Sequence, residues 1–398
     1  MTDGTATDAV TVVPMTVAHV DEVAALTARR FAPAEAERVA SRVARAYREC
    51  PFLRVEDGLV AIRAGRVVGK VQLLDFALRV GSTSLRAAGV HTLAVEEAVD
   101  GERLPWSSVA TAFGRWEARG HDVLFGVARK GAAYEAHGAR ALSPEYAWSV
   151  DAWRLPNRGS TEFRAVTDDD GAAIVAITNA AQASRPLSLV RTPEGWPWIE
   201  RRAPVELVGH GGYLALRDDD DSVEVREAAG PTREFHLAAL RHVRLRAEAR
   251  RVSRVHGHLP VDHPLVLASR DHGARVVVDH ARRSGTMGLV LRADRVVDAL
   301  AGEFAGRLAA SAFRDQRVDL EVRLLHDMDR PGRVTFGSGS GGERVAMTLG
   351  GGAFAQAIFG HRTAEEASET IEGSAHAREI AGVLFPAGVP FLQHTDRF

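Results

Sequence analysis

Two segments with helical spacing, followed by two long β-runs, open this chain, and that order most constrains its fold. Apolar residues recur at helical spacing from Val17 to Phe31 and again from Ala34 to Tyr47. The β-runs are LVAIR at 59–63 and RVVGKVQLLDFAL at 66–78, and an Ala-Gly dipeptide joins them. A two-residue turn between such runs predicts a hairpin. The chain therefore begins as a mixed α/β structure with antiparallel strands.

The next sixty residues add one crossover connection to this sheet. AGVHTLAV at 88–95 predicts a third strand, Trp106 to Arg119 a helix, and VLFGVA at 123–128 a further strand. The segment GAAYEAHG then predicts a short helix that ends at Gly138. Antiparallel strands first and one crossover later are typical of the mixed α/β and α+β fold classes.

The length of 398 residues predicts more than one domain, because single hydrophobic cores rarely grow beyond about 250 residues. LPNRGS at 155–160 is typical of a linker, and the character of the sequence changes again near Ser284. We predict three domains, at 1–155, 156–284 and 285–398. The second repeats the element order of the first only loosely, which indicates a degenerate duplication, and the third is an α+β unit.

Composition excludes several classes of function. A formal net charge of −2 argues against broad electrostatic binding to nucleic acid or to an anionic membrane. Cys50 is the single cysteine, so neither an intrachain disulfide nor a cysteine-based zinc site is expected. No apolar run approaches the roughly 18 residues of a membrane span, and the polar N-terminus does not read as a signal peptide. A cytoplasmic protein is expected.

Several stretches resemble those of a known family. AGRVVGKVQLLDFAL and AGVHTLAV are similar to the central strands of an acetyltransferase fold, and ARKGAAYEAHGA places Tyr134 four residues before Gly138. RTPEGWPWIERR, LPVDHPLVLASRDHGARV and the tail from Met347 to Phe398 are similar to later parts of one group. On these residues the chain resembles the GNAT superfamily of N-acetyltransferases, in its enhanced-intracellular-survival (Eis-type) group. The resemblance implies two acyl-CoA N-acyltransferase-like (GNAT) domains, the second degenerate, and a sterol-carrier-protein-like α+β domain.

The resemblance also implies acetyl-CoA as co-substrate and assigns roles to individual residues. Acetyl transfer requires the thioester carbonyl to be polarised, the amine to lose a proton and the departing thiolate to gain one. The carbonyl would meet the backbone of Leu93, Ala94 and Val95. Tyr134 would be the general acid, because a phenol with a pKa of about 10 is protonated at neutral pH. The C-terminal carboxylate of Phe398 would be the base.

The loop after the third strand departs from the family pattern for binding the coenzyme A pyrophosphate. Gly101 and Arg103 resemble components of that loop but lie out of register. Acidic residues surround them where a polyanion should bind, at positions 96, 97, 100 and 102. Two hypotheses therefore stay open. Either other basic residues, at 129, 130 and 140, hold coenzyme A, or the fold has become a weakened acetyltransferase that binds a small molecule or lipid.

The remaining partners follow from the resemblance, and other motifs are discounted. The implied substrates are primary amines such as aminoglycosides and lysine side chains, and the implied assembly is a homo-oligomer, often a hexamer. His256, His258 and His263 could bind zinc if their geometry converged, but their loop is stiffened by prolines and no metal site is predicted. GSGSGGE at 337–343 lies between β-runs and predicts a turn. No Gly-x-Ser-x-Gly elbow occurs, so hydrolase chemistry has no support.

Overall fold

The computed structural model describes most of the chain and contains three β-sheets. The described residues are 10–96, 117, 119–128, 131–159, 163–197, 205, 207–280, 285–339 and 342–397. Among these residues the sheets have seven, seven and four strands. No helix in the described ranges combines the length and the apolar character that crossing a membrane requires.

The first sheet contains the hairpin predicted near residue 65. In the order in which they pair, its strands are β1 (Thr11–Pro14), β2 (Leu59–Arg63), β3 (Arg66–Val80), β4 (Thr83–Val95), β5 (Val123–Ala128), β14 (Gly285–Val290) and β6 (Arg140–Ala141). Ala64 and Gly65 have φ angles of 48° and 78°, which are the left-handed values that a two-residue hairpin turn requires. The hairpin prediction is confirmed, and β4 starts five residues before the predicted strand because Gly81, at φ 58°, makes another tight turn.

The second sheet repeats the first in strand order. Its strands are β8 (Arg164–Ala165), β9 (Leu207–Gly209), β10 (Gly212–Asp218), β11 (Ser222–Ala229), β12 (Arg254–Gly257), β7 (Glu145–Asp151) and β13 (Arg275–Asp279). In both sheets the fourth and fifth strands are parallel, and both later pairings are antiparallel. The loose repetition in the sequence therefore corresponds to a close repetition in topology.

The two sheets exchange one strand with each other. β7 follows β6 directly in the chain but pairs in the second sheet, whereas β14 follows β13 directly but pairs in the first. Strand β7 begins ten residues before the predicted boundary at 155, and β14 begins just after the one at 284. The division at 1–155, 156–284 and 285–398 stays a prediction, and both sheets draw strands from across it.

Helices cover the two faces of the first sheet. Helices α1 (Val20–Phe31) and α2 (Ala36–Glu49) bury Val23 and Tyr47 in a cluster with Leu74 and Ala94 of the sheet. Both helices were predicted to within two or three residues. The helix α3 (Ala132–Ala136) packs through Tyr134 in the cluster that contains Val90 and Leu124. The predicted helix 106–119 lies outside the described residues except at positions 117 and 119.

The second and third units complete the core. Helices α4 (Gly171–Ala181), α5 (Arg233–Arg250) and α6 (Pro264–Ser269) belong to the second. The third has the four strands β16 (Asp327–Phe336), β15 (Arg317–Leu324), β17 (Gly342–Leu349) and β18 (Thr370–Glu372), in that spatial order, with the helices α7 (Ala293–Ala299), α8 (Ala301–Ala309), α9 (Gly351–Ile358), α10 (Ala364–Ala367) and α11 (Ala375–Leu384). Phe304 and Phe354 share one buried cluster with Val123 and Phe125 of the first sheet, so these two units pack as one core.

Candidate active site

The central strands of the first sheet separate at one end. Strands β4 and β5 pair in parallel from Ala87 to Gly89, opposite residues 123–125, and no further. Strand β4 nevertheless continues to Val95, and β5 continues to Ala128. Beyond Gly89 the edge of β4 therefore has no β5 partner among the described residues. Such an edge presents backbone N–H and C=O groups that an extended ligand can bind.

A β-bulge lies on this diverging part of β4. Gln72 of β3 pairs with His91, but Lys70 pairs with Ala94, so one residue of β3 lies opposite two of β4. Thr92, the first of those two, has a φ angle of 51°. A bulge redirects the backbone groups beside it. Leu93, Ala94 and Val95, which were predicted to act through their backbone, therefore lie where the backbone is redirected.

The short helix α3 brings Tyr134 to the same place. Its carbonyl oxygen accepts hydrogen bonds from the N–H groups of His137 and Ala139, both at 3.1 Å, and Gly138 closes the helix at a φ of 84°. The Tyr134 ring and Leu93 pack in one cluster with Val90. A β-carbon on Gly126 of β5 would lie only 3.7 Å from Cε1 of Tyr134, so the ring lies directly against β5. The structure therefore places Tyr134 where β4 and β5 begin to diverge.

Burial determines the protonation of this phenol. Removal from water disfavours the phenolate and raises the pKa of Tyr134 to about 12. The side chain therefore stays protonated throughout the neutral range, and a proton donor at this position needs that state.

Of the four acidic residues noted in the loop after the third strand, the structure describes one. Glu96 is described, and its Oε1 atom lies 3.2 Å from Nη2 of Arg29 and 3.5 Å from Nη2 of Arg66. Two cations therefore balance this carboxylate. Gly101 and Arg103 lie outside the described residues, as do the other three acidic positions, 97, 100 and 102, and the basic positions 129 and 130.

Phe398 also lies outside the described residues, but Arg397 next to it is described. Arg397 Nη2 donates to Oε1 of Glu145 at 3.0 Å, at the start of β7. A β-carbon on Gly285 would lie 2.6 Å from the same Glu145 oxygen, and Gly285 pairs with Ala128, the last residue of β5. The described end of the tail therefore approaches the end of β5 that carries the divergence.

The sequence analysis did not predict the buried lysine, Lys70, that lies near the site. Lys70, which pairs with Ala94, is 3% exposed, and its Nζ lies 3.3 Å from the Tyr47 hydroxyl under α2. Burial lowers the pKa of Lys70 to about 7. The signal was present in the sequence, since this lysine interrupts an apolar run, but only the packing of α2 shows that the amine is enclosed.

The three histidines of HGHLPVDHP each have a separate partner. His256 Nε2 lies 3.3 Å from Asp219, and His258 Nδ1 lies 3.0 Å from the carbonyl oxygen of Tyr146. His263 is buried, its Nδ1 accepts from the Leu265 N–H at 3.1 Å, and its Nε2 lies 3.1 Å from the Ala228 carbonyl oxygen. No group of three potential ligands is arranged to hold a metal in the part of the chain that the structure describes.

His263 makes an acid-sensitive contribution to stability. Burial, helped by the charges of His236 and Arg185, lowers the pKa of His263 to about 3 from 6.5. The unfolded chain therefore takes up this proton first as the pH falls. We expect the titration of His263 to leave the free energy of unfolding unchanged above pH 6.5. Below pH 6.5 it should lower that free energy by up to about 1.4 kcal/mol per pH unit until about pH 3.

Urea unfolding between pH 7 and 4 should show a shallower pH dependence of the free energy of unfolding for His263→Asn than for wild type. The control His376→Asn, at a side chain 42% exposed, should keep the wild-type slope, and equal slopes for all three proteins would contradict the assignment.

A cavity of about 1790 Å³ lies between α3 of the first unit and the third unit. Residues 132 and 135–138, in α3 and the turn after it, line one side, and Gly351 of α9 lines another. Its lining includes the histidines and arginines His137, His280, His326, His361, Arg140, Arg330 and Arg362. Carboxylates including Glu135 and Asp327 also line it. The charged lining is unlike the apolar interior that a lipid requires.

Comparisons with known proteins identify the class of the first unit. Residues 11–141 match the family model described as an acetyltransferase (GNAT) domain, and this range contains the diverging strands and Tyr134. The predicted GNAT-type acetyltransferase domain is thereby confirmed. No curated protein matches the chain.

Solved structures share the fold of nearly the whole chain. A GCN5-related N-acetyltransferase from Kribbella flavida aligns over 100% of both chains with a TM-score of 0.72 and 19% identity. One from Anabaena variabilis aligns over 98% of this chain and 100% of its own, with a TM-score of 0.73 and 11% identity. Eis1 from Mycobacterium abscessus aligns over 97% and 99%, with a TM-score of 0.63 and 17% identity. At these identities the likeness establishes the fold alone.

Proposed function

We propose that this protein transfers the acetyl group of acetyl-CoA to a primary amine. The observation that carries the proposal is the divergence of β4 and β5 at a bulge, with the Tyr134 phenol packed beside it. An extended acyl thioester can pair with the edge of β4 that diverges from β5, as a further strand would. Since Leu93, Ala94 and Val95 have apolar side chains, only their backbone groups can polarise the thioester carbonyl there.

The proposed reaction is direct attack of the amine on the thioester. The amine nitrogen forms a bond to the carbonyl carbon, and the carbon–sulfur bond breaks. A backbone N–H near the bulge stabilises the oxyanion that develops on the carbonyl oxygen. The amine proton leaves to a base, and the departing thiolate takes a proton from the Tyr134 hydroxyl. The coenzyme supplies the activated acetyl group, and the protein supplies orientation and the proton donor.

For the base we propose the C-terminal carboxylate of Phe398, as the Eis-type resemblance implies. The support is the path of the described tail, in which Arg397 bonds to Glu145 beside Gly285 and the end of β5. A carboxylate at that end would attract a cationic amine and accept its proton, directly or through a water molecule. Aminoglycoside-like compounds and lysine side chains are the substrate classes we propose.

The wider architecture is also proposed on the resemblance. The matching strand orders support a second, degenerate GNAT unit at 156–284, completed by β7. The identification of 285–398 as sterol-carrier-protein-like, the homo-oligomer, often a hexamer, and the cytoplasmic location stay predictions. Gly101 and Arg103 stay proposed contacts of the coenzyme A pyrophosphate.

The alternative, a weakened acetyltransferase that binds a small molecule or lipid, rests on the acidic loop. Three findings bear on it. Arg29 and Arg66 balance Glu96, and the charged lining of the cavity beside α3 argues against a lipid. The interior of the third unit is filled by side chains such as Phe304, Phe354 and Phe385, each fully buried.

Calorimetric titration of the protein with acetyl-CoA distinguishes the two functions. We expect saturable binding below millimolar ligand, followed by an acetylated product when an aminoglycoside or a lysine peptide is added. Titration with S-acetylpantetheine is the matched control, because this compound keeps the strand-like arm and the thioester of the ligand and lacks the pyrophosphate. If acetyl-CoA does not bind at millimolar concentration, the binding-protein alternative is favoured.

A further inference from the structure

In the second sheet, too, the parallel pairing of the two central strands stops while one strand continues. Strands β11 and β12 pair from Ser222 to Val225, opposite residues 254–257, where β12 ends, and β11 continues to Ala229. In the first sheet the equivalent pair, β4 and β5, opens the space proposed for acetyl-CoA. In the second sheet the same space holds a segment of this chain, residues 391–397.

Contacts on both sides place this tail between the diverging strands. On the β11 side, Thr395 Oγ1 donates to Oε2 of Glu227 at 2.7 Å. On the β12 side, the rings of His394 and His258 stack with centroids 3.8 Å apart and planes 10° from parallel. His258 directly follows β12 and lies 3.0 Å from the Tyr146 carbonyl oxygen of β7. The tail therefore fills the gap that an acyl ligand fills in the proposed reaction.

One buried cation connects the second unit to the tail. The Arg191 side chain is fully buried, and its Nη1 and Nη2 atoms donate to the two carboxylate oxygens of Glu227 at 2.9 and 3.0 Å. Its Nε donates to Oδ1 of Asp396 at 2.8 Å, and its Nη2 also donates to Oγ1 of Thr395 at 2.9 Å. A buried charge is tolerated only where it is paired and hydrogen-bonded. Removal of the tail would leave the Arg191–Glu227 pair in place but take Asp396 from the Nε atom of Arg191 and Thr395 from its Nη2 atom.

We propose that the second unit is a docking site for the C-terminal segment, and that Arg191 is a positioning residue that directs this segment to the first active site. The docked tail leads to Arg397, whose partner Glu145 lies against Gly285 beside the end of β5. The docking part stands on these contacts. The positioning part rests on the proposed function, because it requires the tail to supply the base.

Substitutions at Thr395 test the docking without removing a charge. Thr395→Val keeps the shape of the side chain and loses the hydroxyl that bonds Glu227 and Arg191, whereas Thr395→Ser keeps it. In the full-length protein, amide hydrogen exchange across 391–397 should be faster by about tenfold or more in the valine variant, as expected for a lost buried hydrogen bond. The serine variant should stay within about threefold of wild type, and strand β15 should not change in either protein.

The kinetics of the same variants test the positioning. We expect Thr395→Val to lower kcat by about tenfold, because a displaced base transfers protons less efficiently, with the KM for acetyl-CoA unchanged and wild-type kinetics in Thr395→Ser. Equal exchange in the valine variant and wild type would overturn the docking. Faster exchange with unchanged kcat would overturn the positioning role. A wild-type protein that acetylates no amine removes the proposed function and the positioning role together, and the exchange comparison still decides the docking.

Discussion

Tyr134→Phe is expected to lower kcat for acetyl transfer by about a hundredfold or more, with acetyl-CoA binding unchanged. The substitution removes the hydroxyl, and the ring keeps its packing with Val90, Leu93 and Leu124. The thiolate would then leave without a proton from the protein. Steady-state kinetics with a saturating amine, together with calorimetric titration of acetyl-CoA, measure the two quantities separately.

The raised pKa of Tyr134 predicts how kcat of the wild-type enzyme depends on pH. Burial raises the pKa of Tyr134 to about 12, so the wild-type acid stays protonated through pH 10 and kcat should not decline there. Tyr47→Phe is the matched control, because Tyr47 is also a buried phenol of the first unit but belongs to α2 and to a different buried cluster. It should retain turnover within about threefold. Undiminished turnover in Tyr134→Phe would remove this residue from the role of acid.

Extension of the chain by two glycines after Phe398 should lower kcat/KM for the amine by about a hundredfold. The extension moves the terminal carboxylate by up to about 7 Å along the chain, which takes it out of reach of the amine proton. Acetyl-CoA does not need the base, so its binding should be unchanged. The remaining activity should increase with pH, because the amine must lose its proton to solvent.

Phe398→Leu provides the matched control for this extension. It keeps the carboxylate in place and changes only the side chain, so activity should stay within a few-fold of wild type. Full activity in the extended chain would exclude the carboxylate as base. An inactive Phe398→Leu protein would show that the ring itself is required.

Residues that act through local signals were predictable. The helices α1 and α2, the hairpin at Ala64-Gly65 and the end of α3 at Gly138 follow from periodicity and turn chemistry within a few neighbouring residues. The sequence resemblance selected Tyr134, and the structure brings it to the diverging strands beside Leu93. These features share one property, which is that the determining residues lie close together in the chain.

Residues that act through distant partners were not predictable. Arg191 and Asp396 are separated by 205 positions, and nothing near either residue specifies the other. Lys70 is enclosed only because α2 packs Tyr47 over it. In the sequence, a charged residue beside apolar ones fits a buried position and a solvent-exposed position equally well. The free energy that decides between these two positions depends on the residue that pairs with the charge, which is distant in the chain.

The sequence by itself determined the local elements, their order and the family resemblance, because short-range periodicity, turns and glycine conformations depend on neighbouring residues alone. Only the tertiary structure decided which sheet each strand joins. The alternating apolar residues of β7 and the fully buried run of β14 would each fit either sheet. The choice is made by pairing with β12 or β5, more than a hundred residues away. The same is true of the tail, whose place between β11 and β12 depends on a buried cation in another part of the chain.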